Sequence, residues 1–388
     1  MFVLAALAMK AFSTLRGAPA SGGAGRWGSL VPRLPSRQAR RQRAADVELA
    51  AEEAMTDDPA FAPEAVKAGA LDLHTAIFEA WNTEDRAALR ALLGPDLAVE
   101  WERRLDDFDR RGWHNLCEVV GPVEVEYLGL VNRSGDAEDR VTVRIETQLQ
   151  DIVRDRRGTV ITRDDDSDGD GLVGQTEYWT LGKHDGRWIL LSIEQDAEGA
   201  HNLEAPIVAS PWGDDRLRDE AVTEQAVAAA IPDPQVKEVA DLDFDGNART
   251  AALDLANMDG RFAPDVLEAA ARRALDAWAE AVDGDDTALA AIATPEAISE
   301  LLHPGDPSGK TRLVVRGPQL KKLRIVALDA AAQPPAMTVE AEVAGRRYIQ
   351  DRDTTSVLSG SMDREVVFTE RWRMILDGAD GTPWKIAS

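Results

Sequence analysis

The feature that most constrains this chain is an internal repeat with a period of about 200 residues. Phe61-Ala62-Pro63-Glu64 recurs as Phe262-Ala263-Pro264-Asp265. Phe78, Asp85, Leu89, Leu92 and Pro95 match Trp278, Asp285, Leu289, Ile292 and Pro295 at a constant offset of 200. Gly121-Pro122, Asp155-Arg156 and Trp188 match Gly317-Pro318, Asp351-Arg352 and Trp384 at an offset of 196. Glu177-Tyr178-Trp179 matches Glu370-Arg371-Trp372 at 193. Matches that keep their order while the offset drifts by a few residues mark a duplicated fold unit with loop insertions. Each copy is then a control for the other. A residue present in both is required by the fold, and one present in only one is a candidate for function.

The hydrophobic period tells how each copy is built. Val66, Leu73, Ile77, Phe78 and Trp81 recur at helical spacing after Pro63, which suits a first helical turn. Thr83 is expected to cap a second helix through Leu89, Leu92 and Leu93. A third runs over 96–111 through Leu97, Trp101, Leu105 and Phe108, and Gly112 ends it. The period then changes to two: residues 123–130, 141–147, 159–162, 177–181 and 188–193 alternate as strands. The second copy repeats this with helices at 264–282, 286–293 and 295–302. Its strands are expected at 312–316, 319–328, 337–343, 346–350, 365–376 and 384–386. Helices followed by a run of strands give an α+β layout, three helices packed on a curved antiparallel sheet in each copy. A short acidic helix is expected over 46–56. The expected organisation is a basic N-terminal segment with that helix (1–57), a first domain (58–204), a partly helical linker (205–260) and a second, divergent copy (261–388).

Charge excludes one class of partner. The formal net charge is −25, yet the first 45 residues hold eight Lys/Arg and no acid, leaving 36 basic against 69 acidic groups elsewhere. So acidic a body is unsuited to nucleic acid, whose binding depends on neutralising phosphates. Membrane proximity is expected through the basic segment instead. Phe2 to Met9 is apolar but too short to span a bilayer, and Lys10, Arg16, Arg26, Arg33, Arg37, Arg40, Arg41 and Arg43 follow it. Three readings stand: a transit-like peptide for an organelle, part of a membrane anchor, or a basic tail. With a membrane element, the positive-inside bias places the body in the cytoplasm. The single cysteine, Cys117, rules out an intramolecular disulfide, and with His114 alone it does not make a zinc site.

The order of these elements resembles the domain of mitochondrial inner-membrane translocase subunit 44. The residues that carry the resemblance are Trp81, Asp85, Leu89, Trp113-His114-Asn115, Glu177-x-Trp179 and Trp188 in the first copy. The second copy lacks the W-x-N after its third helix. Residues 58–202 and 262–388 are covered. The resemblance implies a cone-shaped nuclear-transport-factor-2-like fold in each copy, with a bent sheet and helices enclosing an apolar pocket. It also implies membrane association and lipid binding, and it carries over no catalytic set.

Two local signals could carry chemistry. Asp166-Ser-Asp168-Gly-Asp170-Gly171-Leu172, ending on Glu177, satisfies D-x-D-x-D-G-x₅-E. Calcium would take the three aspartates, the Leu172 carbonyl and both oxygens of Glu177. Against it, Glu370 occupies the place of Glu177 without an acidic loop before it, so the fold alone accounts for the glutamate. A shorter stretch, Asp241-Leu-Asp243-Phe-Asp245-Gly246, lacks the terminal acid. The second signal is the shared glutamate. Alternation places Glu177 beside Trp179 and Glu370 beside Trp372 on inward faces, where a carboxylate needs a partner. Arg156 and Arg352 are the expected partners. Trp81, Glu177, Trp179, Trp278, Glu370 and Trp372 are the candidate pocket residues.

No nucleophile elbow, phosphate loop or dinucleotide fingerprint is present, and Tyr127, Tyr178, His184 and His201 are scattered. The expectation is therefore a non-enzymatic, membrane-associated binding or scaffold protein for a lipid-like molecule or a membrane protein. No cofactor is implied, and calcium is the one candidate ion. The alternatives are a calcium-dependent module using the 166–177 loop, and an isomerase-type enzyme using a pocket carboxylate.

Overall fold

The computed structural model describes residues 37–163, 172–195, 198–228, 243–377 and 383–388. The chain divides into two compact units. One comprises residues up to Pro211 together with Gln350–Leu358, and the other comprises Trp212–Ile349 and Ser359–Ser388. Each has its own apolar core.

The first unit opens with α1 (Arg37–Asp57), longer than the helix expected over 46–56. Val47, Ala51 and Ala54 on its inner stripe are fully buried and belong to the first core, so α1 is part of the unit and not a lead-in to it. Helix α2 (Pro63–Asn82) begins on Pro63, whose fixed φ and missing N–H suit that position. Thr83 closes α2, its hydroxyl donating to the Glu79 carbonyl; the cap of α3 (Arg86–Leu92) is Asp85, which accepts from the Ala87 and Ala88 amides. The expected Thr83 cap is corrected on this point: a carboxylate one residue before the helix reaches those amides. Helix α4 (Pro95–Arg111) buries Leu97, Trp101, Leu105 and Phe108 and stops at Gly112 in the left-handed region, φ 68°.

Six strands follow: β1 (Trp113–Val119), β2 (Glu124–Val131), β3 (Arg140–Asp155), β4 (Val160–Arg163), β5 (Val173–His184) and β6 (Arg187–Gln195). The sheet order is β1-β3-β5-β6, antiparallel. Strands β1 and β2 lie end to end against β3, β1 on residues 149–155 and β2 on residues 140–146. Thr147 and Gln148 fall in the gap between them, opposite the Gly121-Pro122 turn.

The second unit starts earlier than 261. Helix α5 (Asp215–Ala228) lies where a helical linker segment was expected, but β7 (Asp243–Phe244) joins the second sheet alongside Arg324 and Ile325. Helix α6 (Ala248–Ala256) puts Ala248 and Ala252 into the second core. Residues 243–260 are thus corrected from linker to domain, because their small apolar side chains have somewhere to be buried.

Then come α7 (Pro264–Asp283), α8 (Thr287–Ile292) and α9 (Pro295–Leu302), followed by β8 (Thr311–Asp329), β9 (Ala336–Asp351), β10 (Val357–Gly360), β11 (Val366–Leu376) and β12 (Trp384–Ile386). The sheet order is β12-β11-β9-β8-β7, with β10 on β9. Strands expected in pieces at 312–316 and 319–328, and at 337–343 and 346–350, are continuous as β8 and β9. Both units are α+β.

The recurring tryptophans occupy equivalent places. Trp188 Nε1 donates to the Ala60 carbonyl (3.3 Å) and its ring meets Phe61 edge-on. Trp384 Nε1 donates to the Arg261 carbonyl (3.0 Å) and meets Phe262 edge-on. Each ties the last strand of its sheet to the turn that precedes the unit's long helix. Trp384→Phe keeps the ring and deletes the donor, stranding a carbonyl, and is expected to cost the second unit about 1–2 kcal/mol. Trp384→Ala, which also opens a cavity, is expected to cost about 3–5 kcal/mol. Urea unfolding checks both, and a Trp384→Phe variant as stable as the wild type would remove the assigned role of the N–H.

Candidate functional site

Alternation along β3 sends Val141, Val143, Ile145, Thr147, Leu149, Asp151 and Val153 inward, and all are buried. Gln175, Glu177, Trp179 and Leu181 on β5, and Asn115 and Cys117 on β1, share that interior. A face that should be apolar therefore carries six polar groups. Two are carboxylates, Asp151 and Glu177, 3% and 4% exposed.

The inner part of this set is bonded internally. Asn115 Oδ1 accepts from Trp81 Nε1 (2.9 Å) and from the Cys117 thiol (3.4 Å). Asn115 Nδ2 donates to Asp151 Oδ1. Trp179 Nε1 donates to Glu177 Oε2 at 2.9 Å. Asn82 at the end of α2 clamps the Cys117 backbone, donating to its carbonyl and accepting from its amide, both at 2.8 Å. His74 stacks between Phe78 and Trp179. Burial lowers its pKa from an ordinary 6.5 to about 4, which keeps the imidazole neutral. Burial pushes the Cys117 thiol well up, and the nearby Asp151 and Glu177 carboxylates push it further. Burial also raises the Tyr127 phenol.

The outer part is not closed. At the Gly121-Pro122 turn, Gly121 holds φ 86° and Pro122 offers no N–H, so neither continues the ladder. A groove of about 360 Å³ opens there, lined by Val120, Pro122, Glu146, Thr147, Gln175 and their neighbours. Among the described residues, Thr147 Oγ1 and both polar atoms of the Gln175 amide have no hydrogen-bond partner. Glu146, at the rim, is held by Arg144 and faces Arg40 at 3.6 Å.

The second unit has a different interior at the same register. Thr147 opposes Gln175 in the first sheet, and Val343 opposes Phe368 in the second. Offsets of 196 put Leu313 in the place of Cys117 and Arg347 in that of Asp151. Glu370 stands where Glu177 does, with the Arg347 guanidinium 3.7 Å away. Burial raises the Glu370 pKa, and Arg347 opposes that rise. Trp278 packs on Trp372, ring centroids 5.7 Å apart, and Arg347 lies over the Phe368 ring.

The residues expected around a pocket are mostly core. Trp81, Trp179, Trp278 and Trp372 are among the largest fully buried side chains, and none lines the groove. Arg156 does not meet Glu177; it pairs with Glu84 (3.1 Å) and Asp109. Arg352 does not meet Glu370; it pairs with Asp96 at 2.7 Å. Both arginines sit at strand ends, beyond the reach of the inward glutamates, and their places are taken by Trp179 and Arg347.

Asp166, Asp168 and Asp170 of the acidic loop lie outside the described residues, as does Asp241. Of the rest of that donor set, Glu177 does not fit a loop site: its carboxylate faces the core and is engaged by Trp179. Asp243 pairs with Lys322. His114 bonds Glu84 (2.7 Å) on the face opposite Cys117.

An acidic group not foreseen from the sequence gathers Asp58, Asp136 and Asp139. It surrounds the Lys183 ammonium, which pairs with Asp58 and lies 3.4 and 3.7 Å from the other two. Asp151, Thr147 and Gln175 were also missed, although alternation through Val141, Val143 and Ile145 already assigns Thr147 and Asp151 to the inner face.

Residues 47–195 match the family described as the Tim44-like domain. Over those residues the first unit is similar to the Tim44-like domain. No curated protein matches the chain. Among solved structures, the intermembrane-space region of the chloroplast protein ARC6 is 11% identical, covering 42% of this chain and 98% of its own, with a TM-score of 0.21. An NTF2-like protein involved in plasmid conjugation is 8% identical over 79% of this chain and 86% of its own, with a TM-score of 0.19. At those scores neither likeness bears on function. Among the described residues, no helix is long and apolar enough to cross a membrane.

The buried groups give two expectations. The folded pKa of His74 is depressed, so the stability it allows is complete above 6.5 and is lost as pH falls from 6.5 toward 4. The loss approaches about 3 kcal/mol. His74→Leu should flatten that part of a pH–stability profile, measured against wild type by urea unfolding. The Cys117 thiol, 1% exposed and held neutral, should resist a maleimide in the folded protein and react once urea unfolds the first unit. Labelling of the native protein at a free-thiol rate would contradict the packing described.

Proposed function

We propose that this chain is a non-catalytic binding and scaffold protein that works at a membrane. In this reading the second unit is a second, divergent copy of the first, so the chain is a tandem of cone-shaped NTF2-like domains. The partner is a lipid-like molecule or a membrane protein, and the basic N-terminal segment supplies the membrane contact. The tandem is supported by equivalent sheet orders, by the paired Trp188 and Trp384 contacts, and by parallel bridges from Leu93 to Leu190 and from Ala293 to Ile386.

The observation that carries the binding reading is the commitment of the deep carboxylates. Glu177 is engaged by an indole and Asp151 by an amide inside a packed core. A general base needs to reach a substrate proton, and these groups face protein.

The basic segment divides in two. Arg40 and Arg43 are used by the fold, Arg40 facing Glu126 and Glu146 and Arg43 donating to the Leu128 carbonyl (2.7 Å). Of the other six, Arg37 and Arg41 are exposed on α1, and Lys10, Arg16, Arg26 and Arg33 are the charges proposed to meet an anionic surface. At about 1 kcal/mol for each such residue, the four together would hold an otherwise repelled acidic body at anionic lipid. Co-flotation of the full chain with phosphatidylserine-containing vesicles tests this. Binding should fall at least tenfold when those four become glutamine, and should fall again in high salt. Binding that survives both changes, or that is equal on zwitterionic vesicles, would sink the membrane reading.

A further inference from the structure

The geometry points to a binding site in the first unit for a ligand bearing an amide group. It lies at the groove by the break between β1 and β2, which the buried side chains of Thr147 and Gln175 help to line. This inference rests on the binding reading above only in taking the first unit as the one that accepts a ligand.

Gln175 is 9% and Thr147 is 6% exposed, and together they leave one amide oxygen, one amide nitrogen and one hydroxyl without partners. Buried polar groups left in that state are costly, so a native protein keeps them where something completes them. The Gln175 amide presents a donor and an acceptor side by side. The group that answers both at once is another amide, offering its carbonyl to Nε2 and its N–H to Oε1. The Thr147 hydroxyl rotates to serve either end. Among the described residues no arginine or lysine lines the groove, and Glu124 stands at its rim beside Glu146, whose charge Arg144 and Arg40 meet, so an anion is not favoured and a neutral or cationic ligand is admitted. A volume of about 360 Å³ is at the small end of ligand sites.

The second unit shows what the same turn looks like without this use. Gly317 has φ 59° and precedes Pro318, as Gly121 precedes Pro122. There Gly345 stands at the position of Leu149. A Cβ on it would lie 2.9 Å from Val315 Cγ1, 3.2 Å from the Arg316 carbonyl and 3.5 Å from Pro318 Cα, so the neighbouring backbone has closed over the space. In the first unit the Leu149 side chain excludes that close approach. The copy with the gap has Thr147 and Gln175, and the copy without it has Val343 and Phe368. Opening and polar lining occur together.

The test uses the ¹⁵N-labelled full chain, with N-methylacetamide as the free amide, acetyl-trialanine amide as the peptide amide, and acetate as the anionic isostere. N-Methylacetamide should shift the Gln175 side-chain NH₂ and the Gly121, Thr147 and Gly174 backbone amides along saturable curves, and acetate should not. A tripeptide binding at least tenfold tighter assigns the amide to a peptide segment; equal affinity assigns it to a free small molecule. Thr147→Val combined with Gln175→Leu should abolish the shifts and leave the melting temperature unchanged or higher, because it removes stranded polar groups. If that pair does not fold, Gln175→Met alone supplies the same comparison. Shifts that are absent, that do not saturate, or that persist in the variant overturn the proposal. So does a substituted protein that melts well below wild type, since that would show the two side chains to be structural. Vesicle flotation reads residues 10–33 and this experiment reads the groove, so each can fail without the other.

Discussion

The interior of the first unit depends on one side chain, Asn115. Its oxygen receives Trp81 from helix α2 and Cys117 from its own strand, and its nitrogen gives to Asp151 on β3. An amide can do this because it offers donors and acceptors from the same rigid plane. Without it the indole N–H and the Asp151 carboxylate would each be desolvated with one bond fewer, and a half-satisfied buried network is worse than an apolar core. The helix–sheet contact of this unit is therefore specified by polar geometry set within aromatic packing. Trp81 meets Trp101 and Phe108 edge-on on its other side, which fixes the ring that Asn115 holds.

The second unit solves the same packing problem with fewer polar groups. Its inner face replaces Cys117 with Leu313, Thr147 with Val343 and Gln175 with Phe368, and keeps a glutamate whose neighbour is an arginine. The contrast separates what the fold requires from what only one unit carries. Both units hold a tryptophan two residues after a glutamate, and both hold a Gly-Pro pair at the equivalent position, a turn in the first and part of β8 in the second. Among the described residues, the asparagine-centred network and the groove at the Gly-Pro pair belong to the first unit. The retained glutamate is thus a property of the strand and its tryptophan, while the polar residues around it belong to the Tim44-like unit.

Much of this architecture was legible because the repeat aligns the residues that make contacts. The Phe-Ala-Pro starts and the two closing tryptophans were visible as spaced matches, and so were Asp85 and Asp285, though the cap of the short helix was placed on Thr83 instead. Strand continuity was less legible. Gly317-Pro318 reads as a break, yet β8 runs through it because Gly345 lets the neighbouring strand come close. The role of residues 243–260 was hidden because Ala248 and Ala252 look like linker alanines until the core that receives them is known. The site was the least legible part. Arg156 and Arg352 looked like partners for the inward glutamates, but sequence proximity does not say which face a side chain takes at a strand end. Asp151 was readable from the period of β3; Gln175 became informative only once its register partner, Thr147, was known.

The account turns on the claim that the first unit keeps an open, polar-lined groove where the second is closed. Native mass spectrometry of the full chain tests it most directly, comparing wild type with a variant that carries the second unit's residues, Thr147→Val with Gln175→Phe. After incubation with acetyl-trialanine amide, the account predicts that mass on the wild type, released on denaturation, and missing from the variant. A wild-type chain that carries no added mass, or a variant that carries the same one, would contradict it.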